Sequence, residues 1–139
     1  MDAVKEYKAA LATGHLSPEE SVLLCREGRD RGVRMILTHP EFSRTRIPVD
    51  IQKELSLKGV LIEKCWYNIG ENECSAAQMA DNIRTVGAGS CYMTTDRGQG
   101  NRESPVEAMQ RFIGVMMENG ISENEIMFMT RIVPKSIVA

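Results

Sequence analysis

The chain lacks a surplus of either charge: 17 Lys and Arg stand against 19 Asp and Glu, a formal net charge of -2. A broad basic surface for nucleic acid or anionic lipid is therefore not expected. No run approaches the roughly 18 to 20 apolar residues of a membrane span. The opening Met1-Asp2-Ala3-Val4-Lys5-Glu6 has no apolar core of a signal peptide. These absences lead to the expectation of a cytoplasmic protein that engages neither nucleic acid nor membrane. Cysteine is sparse, at Cys25, Cys65, Cys74 and Cys91, with no C-x-x-C pair, which argues against a zinc knuckle or a thioredoxin-type dithiol. No G-x-G-x-x-G or P-loop follows any strand-like run, which weakens a nucleotide-binding reading. Aromatics are few, with one Trp, three Tyr and three Phe against nine Met, so methionine is expected to fill the core.

What is present fits one domain over residues 1–139. The length supports a real core, and 42% hydrophobic with 26% charged residues is the composition of an ordered globular chain. Residues 2–13 read as a weak helix on a partial stripe of Val4, Tyr7, Lys8 and Leu11, ended by Gly14 and His15, the latter read as a surface loop residue. Ser17-Pro18-Glu19-Glu20, Ser75-Ala76-Ala77-Gln78 and Ser104-Pro105-Val106-Glu107 carry the capping-box pattern, two of them with Pro at the first helical position. Val22, Leu23 and Cys25 are expected on the buried face of the first of these helices. A further helix is expected from Ile47-Pro48-Val49-Asp50, with Ile51, Leu55 and Leu57 inward. A last one starts at Ser122 and is ended by Pro134. Between them lie β-prone runs at about 33–38, 60–64 and 90–95. Strands separated by helices imply right-handed parallel crossovers. The fold class is therefore α/β, built of consecutive parallel βα units, with the strands neighbours in chain order.

Two strand ends have the same build. Met35-Ile36-Leu37-Thr38 runs into His39, and Cys91 to Thr95 runs into Asp96. In parallel α/β folds that edge holds the chemistry. An imidazole and a carboxylate converging there suit zinc, manganese or iron. Glu63 occupies the rim position between them, as a third ligand, a base, or a partner for Lys64 or Arg97. Cys65 is a fallback ligand. Arg97 and Gln99 either orient a polar substrate or order their own loop. Glu41, Arg44 and Arg46 are candidate binding groups in the loop after the first of these strands, and Trp66 and Tyr67 either form an apolar wall or pack on the next helix.

Those same residues carry a resemblance. Ile36-Leu37-Thr38-His39-Pro40 resembles a strand end of metal-dependent hydrolases of the amidohydrolase superfamily, near the phosphotriesterases. Gly59-Val60-Leu61-Ile62-Glu63 resembles the next strand. Thr94-Thr95-Asp96-Arg97-Gly98-Gln99 resembles the segment after the last barrel strand, and Glu125-Ile126 with Pro134 the closing helix. The likeness covers roughly residues 17 to 137 and implies a partial TIM-barrel-like arrangement, its C-terminal half; a full barrel takes about 250 residues. It implies a divalent metal, zinc foremost, with His39 and Asp96 as ligands. Asp96 would accept a proton from the attacking water, with Glu63 beside it, and Arg97, Gln99 and Arg44 near a small-molecule substrate. The His-x-His pair of the first barrel strand has no counterpart, and Lys64 lies near where a later-strand His would stand. The resemblance thus implies a hydrolase acting on an amide, ester or phosphoester-type bond, with further strands supplied by another chain. The alternative is a non-catalytic half-barrel or oligomeric α/β module. An arc of parallel strands with open edges and an incompletely covered inner face leads to an expected homo-oligomer.

Overall fold

A computed structural model describes residues 1–138. Four parallel strands form one sheet in the order β1-β2-β3-β4: β1 Ala10–Ala12, β2 Arg34–Leu37, β3 Leu61–Cys65 and β4 Cys91–Thr94. The helices between them are α2 Pro18–Asp30, α3 Val49–Leu57, then α4 Trp66–Gly70 with α5 Ala76–Val86. After β4 come α6 Pro105–Glu118 and α7 Glu123–Met127, a π-helical turn at Phe128–Ile132, and α8 Val133–Val138; α1, Asp2–Glu6, opens the chain. This is the expected α/β arrangement of consecutive parallel βα units. No described helix is long and apolar enough to cross a membrane.

The capping signals act where they were read. Ser17, Ser104 and Ser122 each accept from the backbone N–H three residues on, while Glu20, Glu107 and Glu125 return the bond. At Ser75 only the first half of the exchange forms, with the Gln78 N–H. Strand alternation sends Met35, Leu37, Ile62, Cys91 and Met93 into the helical layer, where they meet Cys25, Leu55, Met79, Ile83, Phe112 and Met116. Gly28 of α2 lies directly over Met35; a Cβ there would run into the Met35 thioether. On the other face, the π-helical turn and α8 pack against β4. The Arg34 guanidinium in β2 donates to the Ser136 carbonyl at 2.9 Å. The last helix therefore reaches from β4 toward β2 and covers part of a face that the sequence reading left open.

Three expectations are corrected. Residues 2–13 are not one helix: α1 stops at Glu6, Lys8 turns at φ 51°, and Ala10 to Ala12 pair with Arg34 to Ile36. Tyr7, counted in the helical stripe, is 79% exposed. Leu23 and Leu57 point to solvent rather than inward. Pro134 does not end the last helix. It lies inside a helical run that continues without a break from α7 through the π-helical turn into α8. Trp66 and Tyr67 open α4, and the Trp66 ring packs on Phe112 of α6.

Packing at Gly28 gives a direct test. Gly28→Val should lower stability by about 1–3 kcal/mol through overpacking. Combining it with Met35→Ala should destabilise less than the sum of the two single changes, because the groups share one space. Urea midpoints of the four proteins check this, and strict additivity would contradict the contact.

Candidate active site at the strand rim

The C-terminal edge of the sheet is tied together strand by strand. The Thr38 N–H donates to Thr13 Oγ1 at 3.1 Å, and the Gly14 N–H donates to Thr38 Oγ1 at 3.1 Å. The His39 N–H donates to Glu63 Oε2 at 2.8 Å, while the Thr94 hydroxyl donates to Glu63 Oε1 at 3.0 Å. One chain of hydrogen bonds thus crosses all four strands, and Glu63 at the end of β3 joins β2 to β4. In three strands a Thr is followed by a left-handed residue: Gly14 at φ 60°, His39 at φ 28° and Asp96 at φ 49°. For His and Asp that conformation is strained, and such strain persists where the surroundings over-determine it, often at functional sites.

These ends deliver one polar group each into a shared cavity of about 150 Å³, lined by His15, His39, Phe42, Tyr67, Asn68 and Asp96. His15 follows β1, His39 follows β2, Tyr67 and Asn68 lie in α4 after β3, and Asp96 follows β4. The His15 and His39 rings stand 4.8 Å apart between centroids. Phe42 packs edge-on against His39 and Tyr67, which walls the cavity.

His39 is buried and its ring is oriented. The Thr45 hydroxyl donates its one hydrogen to the His39 carbonyl at 3.1 Å, so at 3.0 Å it accepts from His39 Nδ1–H. In the neutral ring the lone pair then sits on Nε2. The 3-10 turn Ser43–Thr45 thereby fixes the tautomer. Asn68 is fully buried, and its backbone carbonyl accepts from the Glu73 and Cys74 N–H groups at 2.8 and 3.0 Å. Its side-chain Nδ2 and Oδ1 have no partner, which is costly for a buried carboxamide unless something in the cavity meets it.

The other sequence candidates are arranged differently. Glu63 holds the rim's backbone rather than Lys64 or Arg97, which are turned elsewhere. The Cys65 thiol is pushed up to about 12 by burial, so it is held protonated and a poor ligand. Arg97 is enclosed, its side chain 2% exposed, between Glu71 at 3.2 Å and Glu103 at 3.3 Å. Its guanidinium lies 5.7 Å from the Tyr67 ring centroid and fills the space a Cβ at Gly70 would need. It orders the loop after β4. Gln99 is exposed and reaches only the Asp96 carbonyl, at 3.5 Å; Arg44 is exposed on the 3-10 turn and does not line the cavity. Glu41 is no loop-surface group. It is buried against Lys64. His15 and Asn68 were missed as site residues. His15 lay behind an unrecognised strand, and Asn68 carried no signal except its place just past β3.

The loop after β4 is latched by Glu103, whose Oε1 accepts from the Trp66 indole N–H at 2.6 Å. That bond above all, then its own backbone N–H and Arg97, hold the Glu103 carboxyl down at about 2. A lowered native value means the stabilisation is fully present above the ordinary value of 4.5 and is lost as pH falls toward 2. Wild type should therefore exceed Glu103→Gln in thermal midpoint at pH 6, with the gap closing between pH 4.5 and 2. A gap independent of pH would contradict the latch. At the rim, Glu63→Ala removes both acceptors and leaves the His39 N–H and the Thr94 hydroxyl without their partner. It should lower stability by about 1–3 kcal/mol, read by urea denaturation.

In sequence, a family described only as a family of unknown function (DUF6282) matches residues 1–63, the stretch that carries β1, β2, His15, His39 and Glu63. No curated protein matches the chain, and no solved structure does.

Proposed function

We propose that the chain is a hydrolase-like βα half-barrel whose rim cavity cleaves an amide, ester or phosphoester-type bond in a small molecule. The observation that carries this reading is the buried, unpartnered Asn68 carboxamide in the same cavity as His39 and Asp96. His39 Nε2 accepts a proton from water as its oxygen bonds to the carbonyl carbon or phosphorus. Asn68 Nδ2–H donates to the oxygen on which charge develops, where a preset donor acts most strongly. Asp96 holds the second hydrogen of the water. The imidazolium returns its proton to the leaving oxygen or nitrogen as that bond breaks.

A divalent metal such as zinc, implied by the resemblance, would supply a more acidic water at this place. His15, His39 and Asp96 are the residues that would hold it, with His39 Nε2 then a ligand in place of a base. Among the described residues no three His, Cys, Asp or Glu gather as a metal site, so exposed His15 and Asp96 would have to close on His39. The balanced charge favours a small-molecule substrate over nucleic acid, and a cytoplasmic setting belongs to the same reading. The three-residue edge strand β1 is where a second copy or further strands would pair.

The test is hydrolysis of 4-nitrophenyl acetate and of a phosphotriester, with and without added zinc or manganese. Asn68→Ala should lower kcat about 10²- to 10³-fold, as loss of an oxyanion donor does. His39→Ala should lower it about 10²- to 10⁴-fold. Thr45→Val, which leaves Nε2 intact but frees the tautomer, should lower kcat and displace the pH profile. Activity unchanged in His39→Ala would overturn the proposal, as would wild type inactive on both substrates under every metal condition.

A further inference from the structure

Behind the rim, between the loop after β2, α3 and α5, lies a second cavity of about 200 Å³ that shares no residue with the first. Its inner wall is a buried polar cluster. Lys64 Nζ, fully buried on the helical side of β3, donates to Glu41 Oε1 at 2.5 Å and to Gln52 Oε1 at 2.7 Å. Asn82 Nδ2 donates to the same Glu41 oxygen at 3.1 Å, and Gln78 Nε2 donates to Asn82 Oδ1 at 2.9 Å. Gln52 Nε2 donates to the Ile47 carbonyl at 2.8 Å. One atom is left over: Glu41 Oε2 is buried and has no hydrogen-bond partner, although Glu41 is only 4% exposed and lines the cavity.

A buried carboxylate oxygen without a donor carries a substantial penalty. Lys64 and Asn82 donate to the other oxygen, and Arg46, the cation in the lining, gives its Nη2 to the Glu41 and Glu73 carbonyls and pairs with the Glu73 carboxylate. We propose that this cavity is a second binding site, distinct from the rim, for a small molecule bearing a primary carboxamide. The charge of Glu41 is already balanced by Lys64, so the missing partner is a neutral donor rather than a cation. Gln78, exposed at the cavity mouth, has a second Nε2 hydrogen beyond the one given to Asn82, so the lining also offers a donor that a ligand acceptor can take over from solvent. A carboxamide supplies N–H and C=O side by side for that combination. The apolar lining of Ile47, Pro48 and Val49 accepts its hydrocarbon end. The volume is below the range of drug-sized pockets and suits a metabolite-sized ligand.

Cys74 provides the readout. It lines this cavity and is half-buried, whereas Cys25, Cys65 and Cys91 are buried. Burial pushes its thiol up to about 11, so labelling is slow and sensitive to occupancy. Methanethiosulfonate labelling of Cys74 is followed by mass spectrometry at pH 8.5, with acetamide or propionamide as probe. The amides should slow labelling several-fold, while acetate, which only accepts, should not. Val49→Trp, which fills the mouth and leaves the ion pair untouched, should abolish the protection, with circular dichroism showing that it folds. Protection that persists in Val49→Trp, or none by either amide in wild type, would overturn the site and leave Glu41 Oε2 to ordered water. Equal protection by propylammonium or propanol would overturn the carboxamide assignment. Hydrolytic activity is not the readout, so this outcome is independent of the rim chemistry.

Discussion

A single carboxylate, that of Glu63, reaches from β3 to the His39 N–H on one side and the Thr94 hydroxyl on the other. Parallel strands bond to each other only along their lengths, and past their last paired residues the backbone is free to splay. Glu63 closes that gap, and the Thr13–Thr38 exchange closes the corresponding one between β1 and β2. The strained backbone at His39 is held by this network. With the His39 N–H fixed from below and Nδ1 fixed by Thr45, the ring has no freedom about its position. The cavity, the tautomer and the placement of the lone pair all depend on those few bonds.

The next residue along β3 does the opposite work. Alternation turns Lys64 to the helical side, where its ammonium meets Glu41, Gln52 and Asn82. An ion pair so buried contributes little net stability, because both ions lose water; what it does secure is geometry. Glu41 follows two residues after His39, so the pair anchors the loop that carries the imidazole to the packed layer behind it. One strand therefore braces the rim from two faces through consecutive side chains.

The α/β order was legible because the helices announce themselves. Ser-Pro-x-Glu starts leave little ambiguity, and the runs between helices carry short apolar stretches such as Met35-Ile36-Leu37 and Val60-Leu61-Ile62. His39 and Asp96 were legible as a pair for the same reason, since equivalent places after parallel strands share an edge. β1 was not legible. Ala10-Leu11-Ala12 has no β-branched residue, and its pairing is decided by β2 rather than by its own preference. Losing that strand lost His15 with it. Asn68 was invisible because nothing in an isolated Tyr-Asn-Ile-Gly tells that the amide will be enclosed without a partner. Glu63 was seen at the rim, yet its bridging between strands depends on register and reach, which composition does not encode. The exposure of Leu23 and Leu57 shows the same limit, since an apolar residue on a helix does not say which side the sheet will take.

The repeated Thr followed by a left-handed residue has a consequence for how such a pocket changes over generations. At β2 and β4 the backbone that presents His39 and Asp96 is set by the threonine, the left-handed turn and the Glu63 bridge, not by the imidazole or carboxylate being presented. The backbone scaffold and the chemical lining are therefore separable inheritances. A lineage that keeps the threonines and Glu63 retains the shape of the rim, while the side chains at positions 15, 68 and 96 are free to drift one at a time. Descendants of one such scaffold would then differ in reactivity while their strands superpose.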